Sequence, residues 1–297
     1  MTMNVSVRVP DGIVLASDSL ASSVVAVQQQ IPVAMKCQNC GHDNPPGLVL
    51  APPIGVPGSS TPLATKIFYI GNFGLTFFGA SSINGRSLFN HVMFYRTTEY
   101  KDDLKLEEIA KGLAKMLTNA IKVDPALKNA PQGSNVGGFQ ISGYDKEDID
   151  IGRTIVAQLN TGQDPLCQTV HEYGVTVTGY QEIAKRLCAN AAGAPAQQGL
   201  ARMTIPDAID YARFLVQTTS DYHRFADTVP TVGGPTEIAL ITKWIGFRWV
   251  ERKKILPDDT SRLNVGKISH EIGQIRRDLP GIIRKARETS GSQGVEP

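Results

Sequence analysis

Val5, Val7 and Val9 alternate with Asn4, Ser6 and Arg8, the two-residue period of a half-buried strand. Pro10-Asp11-Gly12 follows with turn chemistry, since proline presets φ and glycine accepts a positive one. Ile13 to Ala16 is then uninterrupted and apolar, as in a strand covered on both faces. The pair predicts a hairpin. From about Val24 to Pro62 periodicity disappears. Seven of the chain's 18 prolines fall there, between Pro32 and Pro62, among Gly41, Gly47, Gly55 and Gly58. Residues 24–64 therefore read as a long surface insertion that holds no regular ladder.

Order returns at Lys66. Ile67 to Ile70 and Leu75 to Phe78 predict a second hairpin, ending at Gly79-Ala80-Ser81. Ser81 or Ser82 is the expected cap of a helix carrying Leu88, Val92 and Tyr95. A second helix spans about Leu106 to Ile121, with Ile109, Leu113, Met116, Leu117 and Ala120 on one face. Strands are expected at Gly138–Tyr144, Gly152–Leu159 and Tyr173–Val177, the last closing at Thr178-Gly179. Helices follow over about 180–191 and after Thr204-Ile-Pro-Asp207, where proline sits in the first turn. Ile238–Thr242 and Phe247–Glu251 form a closing hairpin, and residues 251–297 read as a helical extension with a frayed end. Strands and helices come in blocks, which points to an α+β fold. Two packed sheets between two helical layers would bury both faces of such strands.

Composition narrows the function classes. The chain has 297 residues, 30 basic against 28 acidic, so no bulk field argues for nucleic acid. No apolar run approaches the roughly 20 residues that span a bilayer, and the start lacks a secretory layout. A cytoplasmic protein without membrane contact is the expectation. Four cysteines are too few for a disulfide framework. Cys37-Gln-Asn-Cys40-Gly resembles one knuckle of a zinc ribbon, because two thiolates at that spacing can bind one tetrahedral ion. A structural zinc at Cys37 and Cys40 would need two more ligands, from Cys167, Cys188, His42, His171 or another subunit. The alternatives are a redox pair or a pair of plain thiols.

Thr2 directly follows Met1. Once Met1 is removed, Thr2 combines a hydroxyl with a free α-amine, nucleophile and base in one residue. Thr2, D-G-I-V-L-A-S-D-S (Asp11 to Ser19), T-K-I-F-Y-I-G (Thr65 to Gly71) and F-F-G-A (Phe77 to Ala80) run in order. G-Y-D (Gly143 to Asp145) and the stretch from Thr204 through G-G-P-T-E-I-A-L-I-T (Gly233 to Thr242) continue the series. On these motifs, residues 2–250 resemble the proteasome β-type subunits and their HslV and Anbu relatives, N-terminal-nucleophile hydrolases with a four-layer αββα sandwich. The resemblance implies Thr2 as nucleophile, Asp18 orienting Lys66, Gly79 offering an oxyanion N–H, and the Thr178 hydroxyl in support. Ala21, Ser22 and Ala80 would shape the substrate pocket. A further carboxylate expected near Val229 is missing; Asp227 stands nearby but out of phase. Lys36 is a rival lysine in the wrong context. No cofactor is needed for the chemistry so implied. The expected substrate is a peptide or unfolded protein, handled inside a homo-oligomeric ring or spiral that an ATPase or unfoldase would feed. A catalytically inactive subunit of the same fold, or an amidohydrolase acting on a small amide, are the alternatives.

Overall fold

Met3–Val9 and Gly12–Ser17 form the expected hairpin, in antiparallel register from Asn4 opposite Ser17 to Val9 opposite Gly12. The computed structural model describes residues 2–27, 30–36, 43–50, 54–61, 64–147, 152–188, 197–226 and 231–253, with main chain alone over 22–61 and 197–198. All lie in the first of the chain's two units, Met1–Lys253. In chain order the elements are β1 (Met3–Val9), β2 (Gly12–Ser17), β3 (Ala21–Val27), β4 (Gln30–Lys36), β5 (Asp43–Leu50) and β6 (Ile54–Thr61). Then come β7 (Ile67–Ile70), β8 (Phe73–Gly79), β9 (Ser82–Ile83), β10 (Arg86–Ser87), α1 (Leu88–Thr98) and α2 (Leu106–Lys122). The chain continues through β11 (Asn135–Gly143), β12 (Arg153–Asn160), β13 (Leu166–Val170) and β14 (Gly174–Gly179). It ends with α3 (Glu182–Cys188), α4 (Gln197–Leu200), α5 (Ile205–Phe225), β15 (Glu237–Thr242) and β16 (Gly246–Glu251).

Two five-stranded antiparallel sheets carry the fold, ordered β14-β1-β2-β15-β16 and β13-β12-β11-β8-β7. Helix α5 lies on β1 and β2 of the first, while α2 lies on β11 and β12 of the second. The two sheets meet through β1, β2, β14 and β15 on one side and β7, β8 and β11 on the other. This is an α+β arrangement of antiparallel sheets.

The meeting of the sheets corrects the expectation for β1, which is buried along its whole length rather than on one side. Met3, Val5, Val7 and Val9 join a core with Ala212, Leu215 and Val216 of α5. The polar face is covered too, because it finds polar partners across the gap. Ser6 Oγ is 3.1 Å from Thr154 Oγ1, which is 2.8 Å from Ser142 Oγ. Hydroxyls satisfied in this way enter an interior without the desolvation cost of an unpaired group. Beside this polar patch the same interface is apolar: Ile13 and Leu15 of β2 cluster with Ile67, Ala239 and Ile241. The continuous apolar run of β2 thus serves both faces, as expected.

Other departures have local causes. The proline-rich insertion does hold ladders: β3 pairs β6, and β4 pairs β5. Each ladder has two strands, and the prolines sit where a ladder tolerates them: Pro45 and Pro46 fall in the register shift between Val33 and Met35, and Pro57 borders the shift between Ser23 and Val24. Helix α1 is capped by Ser87, whose side chain accepts from Asn90 N–H, and not by Ser81 or Ser82. The small β9–β10 hairpin around Asn84-Gly85 intervenes and delays the helix. The capping box at Thr204 and Asp207 opens α5 as the sequence indicates. The expected C-terminal helix lies outside the described residues.

Candidate functional site

The site gathers at the amino end of β1, where that strand is paired on both sides. Asn4 faces Ser17 of β2 and Thr178 of β14, and Met3 faces Gly179. Just past the end of β2 stands Asp18, which has no solvent exposure. Its carboxylate collects four donors. Oδ1 accepts from Met3 N–H and from Lys66 Nζ, each at 2.8 Å. Oδ2 accepts from Leu20 N–H at 3.2 Å and Gly233 N–H at 3.1 Å. A buried carboxylate is tolerable only with such complete pairing.

Lys66 reaches Asp18 from the residue before β7. Its ammonium also donates to Leu20 C=O at 2.6 Å. Ala64 N–H to Ser19 C=O, at 2.9 Å, ties the approach of Lys66 to the loop after β2. Burial pushes the Lys66 ammonium below its ordinary value, and the Asp18 charge and hydrogen bond oppose that shift. An ammonium so placed gives up a proton more readily than a surface lysine.

Thr2 is buried at the same strand end, 8% exposed. Its carbonyl accepts from Tyr180 N–H at 2.7 Å. Gly179 has φ +80°, and a Cβ there would fall 1.8 Å from the Thr2 carbonyl oxygen. Only glycine lets β14 come this close. Thr178 is buried next to it, its Oγ1 3.4 Å from Asn4 Nδ2, which also donates to Phe77 C=O at 2.9 Å. Asn4 therefore links the Thr178 hydroxyl to β8, the strand that ends in Gly79. Gly79 has φ +90°, and a Cβ on it would fall 2.4 Å from Gly137 Cα on β11. Ala80, half-buried, follows with its N–H on Val136 C=O at 3.0 Å.

The fold thus brings Thr2, Asp18, Lys66 and Thr178 together from four separate stretches, with Gly79 at the end of the adjoining β8. Ala21 is partly buried at the start of β3, where its main chain faces Thr61. Ser22 follows it in that strand, opposite Ser60. Lys36 closes β4 opposite Asp43, in the insertion. Asp227, Cys37 and Cys40 lie outside the described residues. Cys167 and Cys188 pack against different cores, under α2 and under α5, so they do not converge on one ion. Among the described residues no group of three or more His, Cys, Asp or Glu is placed to hold a metal. None of the described helices is long and apolar enough to cross a membrane.

Sequence reasoning missed a second buried ion pair. Glu237, opening β15, lies 3.5 Å from Lys253 Nζ, with side chains 0% and 3% exposed. At this separation the contact is long for a hydrogen bond and chiefly Coulombic, and the Lys66 backbone N–H also favours the Glu237 carboxylate. Burial raises the Glu237 carboxyl and lowers the Lys253 ammonium, each opposed by its partner. Both charges reach Lys66, Lys253 lowering it and Glu237 raising it. The signal was a glutamate leading an apolar strand, opposite Ser17. His223 was missed as well. It continues the buried stripe of α5 through Ala212, Leu215, Val216 and Thr219, and that spacing was visible in the sequence.

A buried carboxylate holding an ammonium at the start of a central strand, beside a threonine, defines a site equipped to move a proton near a hydroxyl. Among solved structures the chain is similar to the Gly-1 mutant of Anbu from Hyphomicrobium sp. strain MC1. The TM-score is 0.48 at 14% identity, over 100% of this chain and 99% of that one. No family model and no curated protein matches the chain.

Proposed function

We propose that the chain is a proteasome-like threonine peptidase, a four-layer αββα N-terminal-nucleophile hydrolase over residues 2–250. Met1 removal frees the Thr2 amine, whose ordinary pKa of about 7.7–8.0 leaves a large neutral fraction to accept the hydroxyl proton. The Thr2 hydroxyl attacks a peptide carbonyl, the Gly79 N–H stabilises the oxyanion, and water hydrolyses the resulting ester. Lys66, anchored by Asp18, supplies positive potential at the hydroxyl, and Thr178 assists from β14. Ala21, Ser22 and Ala80 border the substrate. Peptides or unfolded proteins are the substrate class, within a homo-oligomer that an unfoldase would serve. The observation that carries this reading is the single Asp18 oxygen that binds both Lys66 Nζ and the peptide N–H following Thr2.

Intact mass of the native protein and labelling with a peptide epoxyketone test it. The expected results are loss of Met1, one label per chain on Thr2, and hydrolysis of unfolded peptides that Thr2→Ala abolishes. Retained Met1, or a free Thr2 that resists the probe, would leave the inactive-subunit reading in its place.

A further inference from the structure

One buried titratable side chain near this site has no assigned task. His223, in the last turn of α5, is 5% exposed, and neither ring nitrogen has a hydrogen-bond partner among the described residues. Leaving a buried polar group unpaired is costly, so such a residue calls for an explanation.

Its surroundings point to Thr2. The imidazole meets the Tyr180 ring edge-on, with centroids 4.4 Å apart. Tyr180 is also the residue whose N–H holds the Thr2 carbonyl. The same stretch of α5 borders the Asp18 cradle: a Cβ on Gly233 would lie 3.6 Å from Ser220 Oγ, and Gly233 N–H donates to Asp18. Tyr180 thus links His223 to Thr2, and Ser220, one turn earlier on α5, adjoins the glycine that donates to Asp18.

We infer that His223 is a positioning residue for Thr2: its neutral imidazole accepts a hydrogen bond from the α-amine that Met1 removal exposes, aiming the amine lone pair at the threonine hydroxyl. This rests on the peptidase reading above. No bond is made or broken at the ring, which accepts one N–H and keeps its own proton on the other nitrogen. Burial holds His223 below the ordinary imidazole range, opposed by the charge of Asp18, so the ring is a neutral acceptor at neutral pH. The titratable groups around it are Asp18 after β2, Tyr180 before α3 with its hydrogen-bonded Glu182, and Tyr222 on its own helix. Protonation of the ring in acid removes the acceptor and places a cation beside the amine.

The test uses the full chain. His223→Leu should lower kcat about tenfold or more with KM within about twofold, because the amine is misdirected while substrate contacts are intact. His223→Gln keeps an acceptor that does not titrate. It should recover most of kcat and show an acid limb with one ionisation fewer than wild type. A readout independent of turnover is the imidazole nitrogen resonances of His223, assigned by their loss in His223→Gln. They should move when methionine aminopeptidase removes Met1. Resonances that stay fixed on processing, or a His223→Leu enzyme with wild-type kcat and acid limb, would overturn the inference while Thr2→Ala still reported on the peptidase. If Thr2→Ala left hydrolysis intact, the peptidase reading would fall, and the His223 resonances would still show whether ring and amine meet.

Discussion

Met3 and Lys66 share one oxygen atom of Asp18, the strand N–H and the ammonium each lying 2.8 Å from Oδ1. The carboxylate is therefore both a strut of the first hairpin and the anchor of the lysine. Its two roles separate under mutation. Asp18→Ala strips a buried ammonium of its counter-ion and leaves the Met3 and Gly233 N–H groups unpaired, while Leu20 N–H keeps its bond to Gly233 C=O, and should cost about 3–5 kcal/mol in urea denaturation. Lys66→Met removes the ammonium, but Met3, Leu20 and Gly233 still donate to the carboxylate. Its stability loss should be clearly smaller, while any reaction that needs the lysine is lost. Equal destabilisation by the two variants would contradict the shared-oxygen geometry.

The places of these residues in the fold were legible because they lie on or beside regular strands, while their grouping was expected only through the family resemblance. Asp18 and Lys66 adjoin hairpins whose apolar periods are plain, and Thr178-Gly179 ends a strand that the sequence marks. The insertion was not legible, since proline is a breaker only where both edges of a strand are paired, and edge pairing is a tertiary fact. The polar face of β1 was misjudged for a related reason. Asn4, Ser6 and Arg8 look solvated until their partners are known: Phe77 C=O for Asn4, the Thr154 hydroxyl for Ser6, and Glu172 C=O with the Thr176 hydroxyl for Arg8. Glu237 and Lys253 belong to segments that the sequence places only at the far end of the chain, and nothing local shows that the start of β15 and the residues after β16 reach Lys66.

The Glu237–Lys253 pair should behave as a cost that its members share. Removing one partner strands the other in the interior, so Glu237→Met or Lys253→Met alone should destabilise by about 3–5 kcal/mol. The double substitution should be neutral or stabilising by about 1–4 kcal/mol. Its pH profile should change as well. The folded carboxyl of Glu237 titrates above its unfolded value of 4.5, so stability falls as pH climbs through that interval. Lys253 titrates below 10.5 when folded, so stability rises as pH approaches that value. Chemical denaturation across pH should show both slopes diminished in the double variant.

At high pH the buried Tyr95 and the half-buried Tyr144 take over. Burial, with Glu99 and Glu108 adding to it, pushes Tyr95 up to about 12. Burial, with Tyr173 and Asp11, does the same to Tyr144, also to about 12. Each stays protonated in the folded chain where its unfolded counterpart, at 10.0, ionises. The unfolded state then binds fewer protons, and stability falls as pH rises from 10.0 towards 12. Ultraviolet titration should show exposed tyrosines ionising first, and Tyr95→Phe should flatten part of the alkaline loss.

Gly179 offers the most local test of whether the placement of Thr2 matters. An added Cβ would meet the Thr2 carbonyl oxygen at 1.8 Å and its carbon at 2.8 Å, main-chain atoms that cannot rotate away. Relief requires β14 to part from β1 at the Met3–Gly179 pair and the 2.7 Å bond from Tyr180 N–H to Thr2 to break. A nucleophile displaced by about 1 Å loses on the order of a hundredfold in rate. Gly179→Ala should therefore abolish most Thr2-dependent turnover or probe labelling. Backbone strain at positive φ accounts for about 1–3 kcal/mol of any stability loss. Gly85 supplies the control: its φ is +70°, yet a Cβ there meets nothing within 4 Å. Gly85→Ala carries the same kind of strain without the collision, so it should lose stability in the same range and keep its labelling rate. Parallel loss of labelling in both variants would show that general destabilisation, and not the position of Thr2, governs the site.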